Sequence, residues 1–264
     1  MRVSASQVRY FRLRRSGLAE PFHTPEAAAS ALVGVQAQIL PAAGLALWNR
    51  TSGLTYAALD RLLHGQRSLV KLLGQRSTLH LYASDEWPLI HSALQGQYTW
   101  WQRLGEETAG GSEKYRAAVV RVAQLLRERG TLGRSELRAS GLELGDALFS
   151  SWGGIFASLV REGYACHAGQ AGNEGRFAHR EYWLPDLRWD PPPGDQANVE
   201  LTRRYLRAYG PACARDLIYW RGARAADARR WLAALGDEVT EVNVSGQTAL
   251  ALRADLDALN ARPP

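Results

Sequence analysis

Two cysteines, two lysines and a single methionine are spread over 264 residues, and nowhere is there an apolar run of the roughly twenty residues needed to span a membrane. Each scarcity excludes something. Cys166 and Cys213 lie in separate segments without metal-ligand spacing, so neither a zinc site nor a disulfide framework is expected, and a reducing, cytoplasmic compartment is. The opening stretch MRVSASQVRYFRLRR lacks the apolar core of a secretory leader and reads as a first helix. Because Lys71 and Lys114 are the only lysines, the 32 basic residues are nearly all arginine, and the net charge is +6. Arginine presents a planar fork that matches phosphate oxygens and guanine edges, which favours a polyanionic partner. A coding bias towards arginine on solvated faces is the other reading of the same numbers.

What the sequence does have is a repeat. LRERGTLGRSEL from Leu126 and LRAYGPACARDL from Leu206 align at a constant offset of 80 residues, matching Leu126 with Leu206, Gly130 with Gly210, Glu136 with Asp216 and Leu137 with Leu217. In each, a helix ends at a glycine and a second begins after a short turn. A third, amphipathic helix follows, then two short alternating segments. In the last copy these are Ala225 to Leu235, Val239 to Val244, and Gln247 to Leu252 around Ser245-Gly246. In the middle copy Leu148 to Leu159 marks the helix, weakened by Gly153-Gly154, and Tyr164 to Ala168 is expected to pair with Phe177 to Leu184 across a loop.

The first copy keeps the order with different letters. Helices are expected near Pro25 to Gly34 and Pro41 to Thr51, Thr55 caps a third, and Ser68 to Leu73 with Ser77 to Tyr82 forms a hairpin around Gly74-Gln75-Arg76. The pattern predicts a mainly α chain with small β-hairpin wings, three tandem winged-helix domains. The expected bounds are 1–111, including a helical connection from Trp87, then 112–189, then 196–260, with the Pro-rich stretch at 190–195 as a stiff linker. Winged helices usually lay the third helix in a DNA groove and rest the wing on the backbone; some serve as protein-interaction modules instead.

Between the first two helices stands GVQAQILP, with Gln36 and Gln38 one residue apart. On a helix, residues i and i+2 point about 200° apart and could not address one target; in an extended segment they would. Pro41 disfavours helical dihedrals at Leu40 and suits the first turn of the next helix, so the glutamines are expected in a non-helical link with both amides on one side and Ala37 between or inward. Two amides here can also do no more than satisfy backbone groups of the turn.

The order RLRRSGL, GVQAQILPAAGLALWNRTSGLT and SLVKLLGQRSTLHLYASDEW, with the two later repeats, resembles the AlkZ-like winged-helix DNA glycosylases over Ser6 to Ala261. Members carry a glutamine, aliphatic, glutamine motif or a variant ending in aspartate; Gln36-Ala37-Gln38 falls with the first. Family members generally continue beyond the third repeat. The resemblance implies a monofunctional glycosylase that hydrolyses N-alkylated purines in duplex DNA as a monomer, associated with the nucleoid and without cofactor, membrane or metal. It implies Gln36 and Gln38 as the catalytic pair. An N7-alkylated purine is already cationic and leaves without being protonated, so neutral amides that orient water suffice.

DNA contacts are expected from Arg50, Lys71, Arg76 at the first hairpin tip, and His80, which alternation places on one face with Thr78 and Tyr82. Arg176 and Arg180 sit in the loop Gly169 to Arg180, which reads equally as a minor-groove wing and as a solvated loop. Trp48, Trp152, Trp183, Trp220 and Trp231 are expected in cores; in the adjacent pair Trp100-Trp101 one ring is free to stack on a base. The rival function is a non-catalytic winged-helix DNA-binding protein or transcriptional regulator.

Overall fold

The computed structural model describes residues 1–95, 100–142, 144–149 and 154–261; Trp152 and the side chains of Trp100 and Trp101 lie outside the described residues. The elements run β1 (Arg2–Val3), α1 (Ala5–Arg15), α2 (Pro25–Ala31), β2 (Val35–Gln36), α3 (Leu40–Trp48), α4 (Tyr56–Asp60), β3 (Leu69–Leu73), β4 (Leu79–Ala83), α5 (Trp87–Leu94), α6 (Trp100–Ala109) and α7 (Ser112–Arg129). They continue with β5 (Thr131–Leu132), α8 (Arg134–Arg138), α9 (Gly154–Arg161), β6 (Ala165–Ala171), β7 (Glu174–His179), α10 (Arg180–Trp183), α11 (Gly194–Tyr209), α12 (Ala214–Arg221), α13 (Ala225–Ala234), β8 (Val239–Val244), β9 (Gln247–Leu252) and α14 (Leu256–Asn260). The chain is mainly helical with small sheets, and among the described residues no helix is long and apolar enough to cross a membrane.

The 80-residue repeat has a physical cause at each matched position. Leu126 and Leu206 are buried at the ends of α7 and α11, each helix stopping at the matched glycine. The acidic matches cap the next helix: the Gly133 N–H donates to Glu136 Oε2 at 2.8 Å and the Cys213 N–H donates to Asp216 Oδ2 at 2.9 Å. A carboxylate at the third helical position thus takes a donor that the helix itself leaves unpaired. Leu137 and Leu217, one residue on, are fully buried.

Each hairpin also takes a short third partner from the turn between its first two helices: β2 pairs with β4, β5 pairs with β7, and Ala212 bridges to Leu250 in β9. The glutamine segment is the first copy of this connector. The first two hairpins join edge to edge, through Lys71 opposite His167, into one six-stranded sheet of order β2-β4-β3-β6-β7-β5. A continuous core therefore runs from Val70, Leu72 and Tyr82 through Trp87 and Ile90 to Leu126, Phe156 and Leu159.

Two expectations change. The middle hairpin is longer than its letters indicate: β6 and β7 extend to a tight turn at Gly172-Asn173, with a bulge between His167 and Gln170, and the segment after His179 is α10 rather than strand. Gly169 at φ 108 and Gly172 at φ 59 supply the backbone that this bulge and turn require, so glycines that read as loop are hairpin geometry. The first helix also leaves its sequence neighbours. β1 pairs in parallel with β8, and Val3, Val8 and Phe11 form a core with Val242, Ala251 and Leu259. Arg15 pairs with Asp255, and Arg12 donates to the Gly210 and Pro211 carbonyls.

The cap geometry makes a stability forecast. Asp216→Ala should destabilise the protein by about 1 kcal/mol, the usual cost of losing a cap, seen as a lower urea midpoint with unchanged slope; no shift would mean that the matched acid does not act as a cap.

Candidate active site

The Gln-Ala-Gln segment is held from below before it is held from the side. After α2, Val33 adopts φ 57 and Gly34 φ 94, reversing the chain. A Cβ on Gly34 would lie 2.4 Å from the Tyr82 ring, so only glycine lets the backbone pass there. The Val33 carbonyl accepts from Gln75 Nε2 at 2.8 Å, and the Tyr82 hydroxyl donates to Gln75 Oε1 at 2.8 Å. Gln75 is 2% exposed and Tyr82 fully buried. Burial raises the Tyr82 pKa, so the phenol keeps the proton that it donates. Sequence reasoning missed Gln75, whose only signal was its place beside Arg76 in a hairpin tip.

From Gly34 the chain is extended, as the geometry of two amides on one face requires. Val35 is opposite Leu81 and Gln36 opposite His80. The Ala37 N–H donates to the Leu79 carbonyl at 2.7 Å. Val35 and Ala37 are buried, while Gln36 and Gln38 are exposed. Helix α3 begins at Leu40 with Pro41 in its first turn, where the missing N–H has no helical partner to lose, so the extended residue is Ile39 rather than Leu40.

The two amides differ. Gln38 Oε1 accepts the Leu79 N–H at 3.2 Å, which uses its carbonyl and leaves its NH₂ as a donor. Gln36 has no side-chain hydrogen bond among the described residues, so it offers both a donor and an acceptor. Because Ala37 and Leu79 are joined by a ladder bond, Gln36 and His80 form the intervening non-bonded pair, in which side chains of one face stand closest, with Cα atoms about 4.5 Å apart.

His80 is 6% exposed, stacked on Tyr82 at 5.9 Å between ring centroids. Its Nδ1 lies 3.0 Å from the Thr78 carbonyl. Desolvation, outweighing that bond and helped by Arg76, holds its pKa below the ordinary histidine value. Lys71, by contrast, lies in register with Leu81 and so projects from the opposite face to Gln36 and His80. Burial lowers its pKa as well.

The other basic candidates are mostly occupied. Arg50 donates to the Ala46 carbonyl at 2.7 Å, capping the end of α3. Arg176 bonds Glu136 at 2.6 Å and Thr131 at 2.9 Å. Arg180 donates to the Gly163 carbonyl at 2.7 Å and lies 3.7 Å from the centre of the Trp189 ring. Arg76 is exposed at the first hairpin tip, 5.9 Å from the Tyr219 ring and within 3.3 Å of the Trp220 carbonyl. Tyr219 is 79% exposed on α12, so the first hairpin tip and the third repeat meet beside the segment's supporting turn. Trp48 is 57% exposed, not core, whereas Trp183 and Trp231 are buried as expected. Among the described residues no cluster of metal-ligating side chains is present.

A family model described as DNA glycosylase AlkZ-like matches residues 29–264. The chain is similar to an interstrand DNA cross-link repair glycosylase of Streptomyces sahachiroi, 28% identical over 282 residues that span 100% of this chain and 74% of the relative. Among solved structures it is similar to the Streptomyces sahachiroi DNA glycosylase AlkZ, with a TM-score of 0.88 at 27% identity, over 100% of this chain and 74% of that one.

The asymmetry of the amides separates their effects on stability. Gln38→Ala, which leaves the Leu79 N–H without its acceptor, should lower stability by about 1 kcal/mol, whereas Gln36→Ala should leave it unchanged within about 0.5 kcal/mol. Thermal and urea melts of both variants check this, and equal losses would contradict the assignment.

Proposed function

The chain belongs to the AlkZ-like DNA glycosylase family, and from that premise we propose that this DNA repair enzyme hydrolyses the N-glycosidic bond of N7-alkylated purines in duplex DNA, with Gln36 and Gln38 at the reacting centre. The observation that carries the proposal is the outward pair of amides on a rigid extended segment, with one amide free. Gln36 orients the attacking water through Oε1, and the Gln38 NH₂ donates to the water or to the deoxyribose. An N7-alkylated base carries its positive charge before the bond breaks, so the leaving group needs no acid and the work left to the protein is on the water and the oxocarbenium-like sugar.

A monofunctional mechanism fits the two lysines. A Schiff-base route requires an amine at C1′; Lys71 projects from the opposite sheet face and Lys114 lies on α7. We further propose that the three helix-and-hairpin repeats act as tandem winged helices on a single duplex, with the protein working as a monomer. The name of the Streptomyces relative extends the substrate class: a cross-link through purine N7 leaves the linked bases cationic, so unhooking it uses the same chemistry. Arg76 and Tyr219 form the DNA-facing rim. The remaining basic candidates, Arg50, Lys71, Arg176 and Arg180, add positive field more than direct contacts, because each is capped, paired or partly buried.

One observation favours the non-catalytic alternative: the Gln38 carbonyl serves the backbone, as a purely structural glutamine would. Single-turnover release of N7-methylguanine from a duplex, followed by alkaline cleavage of abasic sites, decides between them. Gln36→Ala and Gln38→Ala should each slow release by roughly 10²-fold or more with little change in DNA affinity. Unchanged rates in both would leave a DNA-binding protein without this active site. Arg76→Ala should weaken binding to unrelated sequences by similar factors and lower the salt slope by about one phosphate contact; sequence-selective loss would instead indicate a regulator.

A further inference from the structure

We propose that His80 is a catalytic residue that takes the proton of the attacking water, a role that rests on the hydrolase reading above. Three observations converge on it. First, Gln36 and His80 are direct partners across β2 and β4, on one face and at the closely spaced kind of pair. The pairing sets the two side chains next to each other, the arrangement that a water shared by the Gln36 carbonyl oxygen and the imidazole requires. Second, the tautomer is fixed: Thr78 offers a carbonyl acceptor to Nδ1, so the neutral ring carries its proton there and Nε2 is left with a lone pair. Third, Nε2 has no partner among the described residues, nor does it belong to the buried polar atoms sealed without one. The ring is thus packed on Tyr82, on the sheet face that it shares with Gln36, with one basic nitrogen unpartnered among the described residues.

The surroundings keep that nitrogen a base. Arg76 at the hairpin tip is the charged group that acts on the ring, and it opposes a second positive charge. The Tyr82 phenol stays protonated. Across the sheet the neighbours on this face are Gln36 in β2 and Leu72 in β3, neither of them titratable. Helix α2, packed against β4, carries only Glu26, whose carboxylate accepts from Ser68. A phosphate contact, by contrast, would call for an imidazolium beside Arg76, which the burial and the arginine disfavour.

The step balances without any further reactant. As the bond between C1′ and the purine nitrogen breaks, its electron pair neutralises the cationic base, which departs. The water oxygen bonds to C1′, its proton moves to His80 Nε2, and the imidazolium then releases that proton to solvent. Gln36 holds the water in line but cannot take the proton; His80 can.

The test is single-turnover release of N7-methylguanine from duplex DNA between pH 4.5 and 7.5 by the wild type and by His80→Asn. Asparagine keeps a donor for the Thr78 carbonyl while removing Nε2. The wild type should lose activity on the acid side of a titration lying below the ordinary histidine range near 6.5. The variant should be slower by roughly 10²-fold near neutrality and should lack that acid limb, with DNA affinity and salt slope unchanged. If His80→Asn instead weakens DNA binding and reduces the salt slope while bound complexes react at the wild-type rate, the histidine is a phosphate ligand and the proposal fails. It fails equally if the variant only melts earlier while its folded fraction keeps both rate and acid limb. A wild type that releases no base overturns the hydrolase reading and this one together, an outcome distinct from the other two.

Discussion

Everything at the candidate site depends on one strand pairing two residues long. Val35 and Gln36 add an edge to β4, and that edge makes the segment extended, sends Ala37 into the core, and brings both glutamines out on one side. Such a short strand cannot hold itself. It is anchored at one end by the buried chain from Tyr82 through Gln75 to the Val33 carbonyl, and at the other by the Gln38 carbonyl on the Leu79 N–H and by the helix that starts at Leu40. Removing water from Gln75 and Tyr82 makes an unpaired partner costly, so the three groups lock one another in place. Gln38 has a part in holding the segment as well as a donor to offer, whereas Gln36 is free of structural duty.

The two later repeats clarify the first. In them the equivalent connector residues lead into helices capped by Glu136 and Asp216, and the connector is consumed by structure. In the first repeat the helix after the connector begins without a side-chain cap, with Ile39 at its boundary and Pro41 in its first turn. Pro41 lacks one of the N–H groups that a helix start leaves unpaired, and the first turn of this helix carries no acidic residue, so no carboxylate of α3 stands beside the amides.

The local features of this molecule were legible in the sequence, and the long-range ones were not. Gly130 and Gly210, Thr55, Ser245-Gly246 and the placement of Pro41 each act within a few residues, so helix ends, the last hairpin and the extended Gln-Ala-Gln segment could be argued from letters alone. The docking of α1 on β8 and β9 joins residues more than 230 apart, and nothing in an amphipathic helix names its partner. Pairing of β3 with β6 at Lys71 and His167 is an edge contact with no sequence signature. Arg176 and Arg180 looked available because their partners, Glu136 and the Gly163 carbonyl, lie elsewhere in the chain. Charge counts show how much arginine there is; only the fold shows how much is already spoken for. His80 was visible as a strand histidine, but its relation to Gln36 needed the register.

The parallel pairing of β1 with β8 imposes an order on synthesis. When the first fifteen residues leave the ribosome, the strand that completes their ladder and the residues that bury Val8 and Phe11 do not yet exist. The glutamine segment and its supporting hairpin lie between Val33 and Ala83 and can assemble during translation, while the amino-terminal helix waits, basic and partly apolar, until residues 239–259 emerge. The nascent chain thus closes its glutamine segment before the seam between its first helix and residues 239–259. A chaperone that recognises short apolar, arginine-rich segments would find this helix uncovered until residues 239–259 have been made.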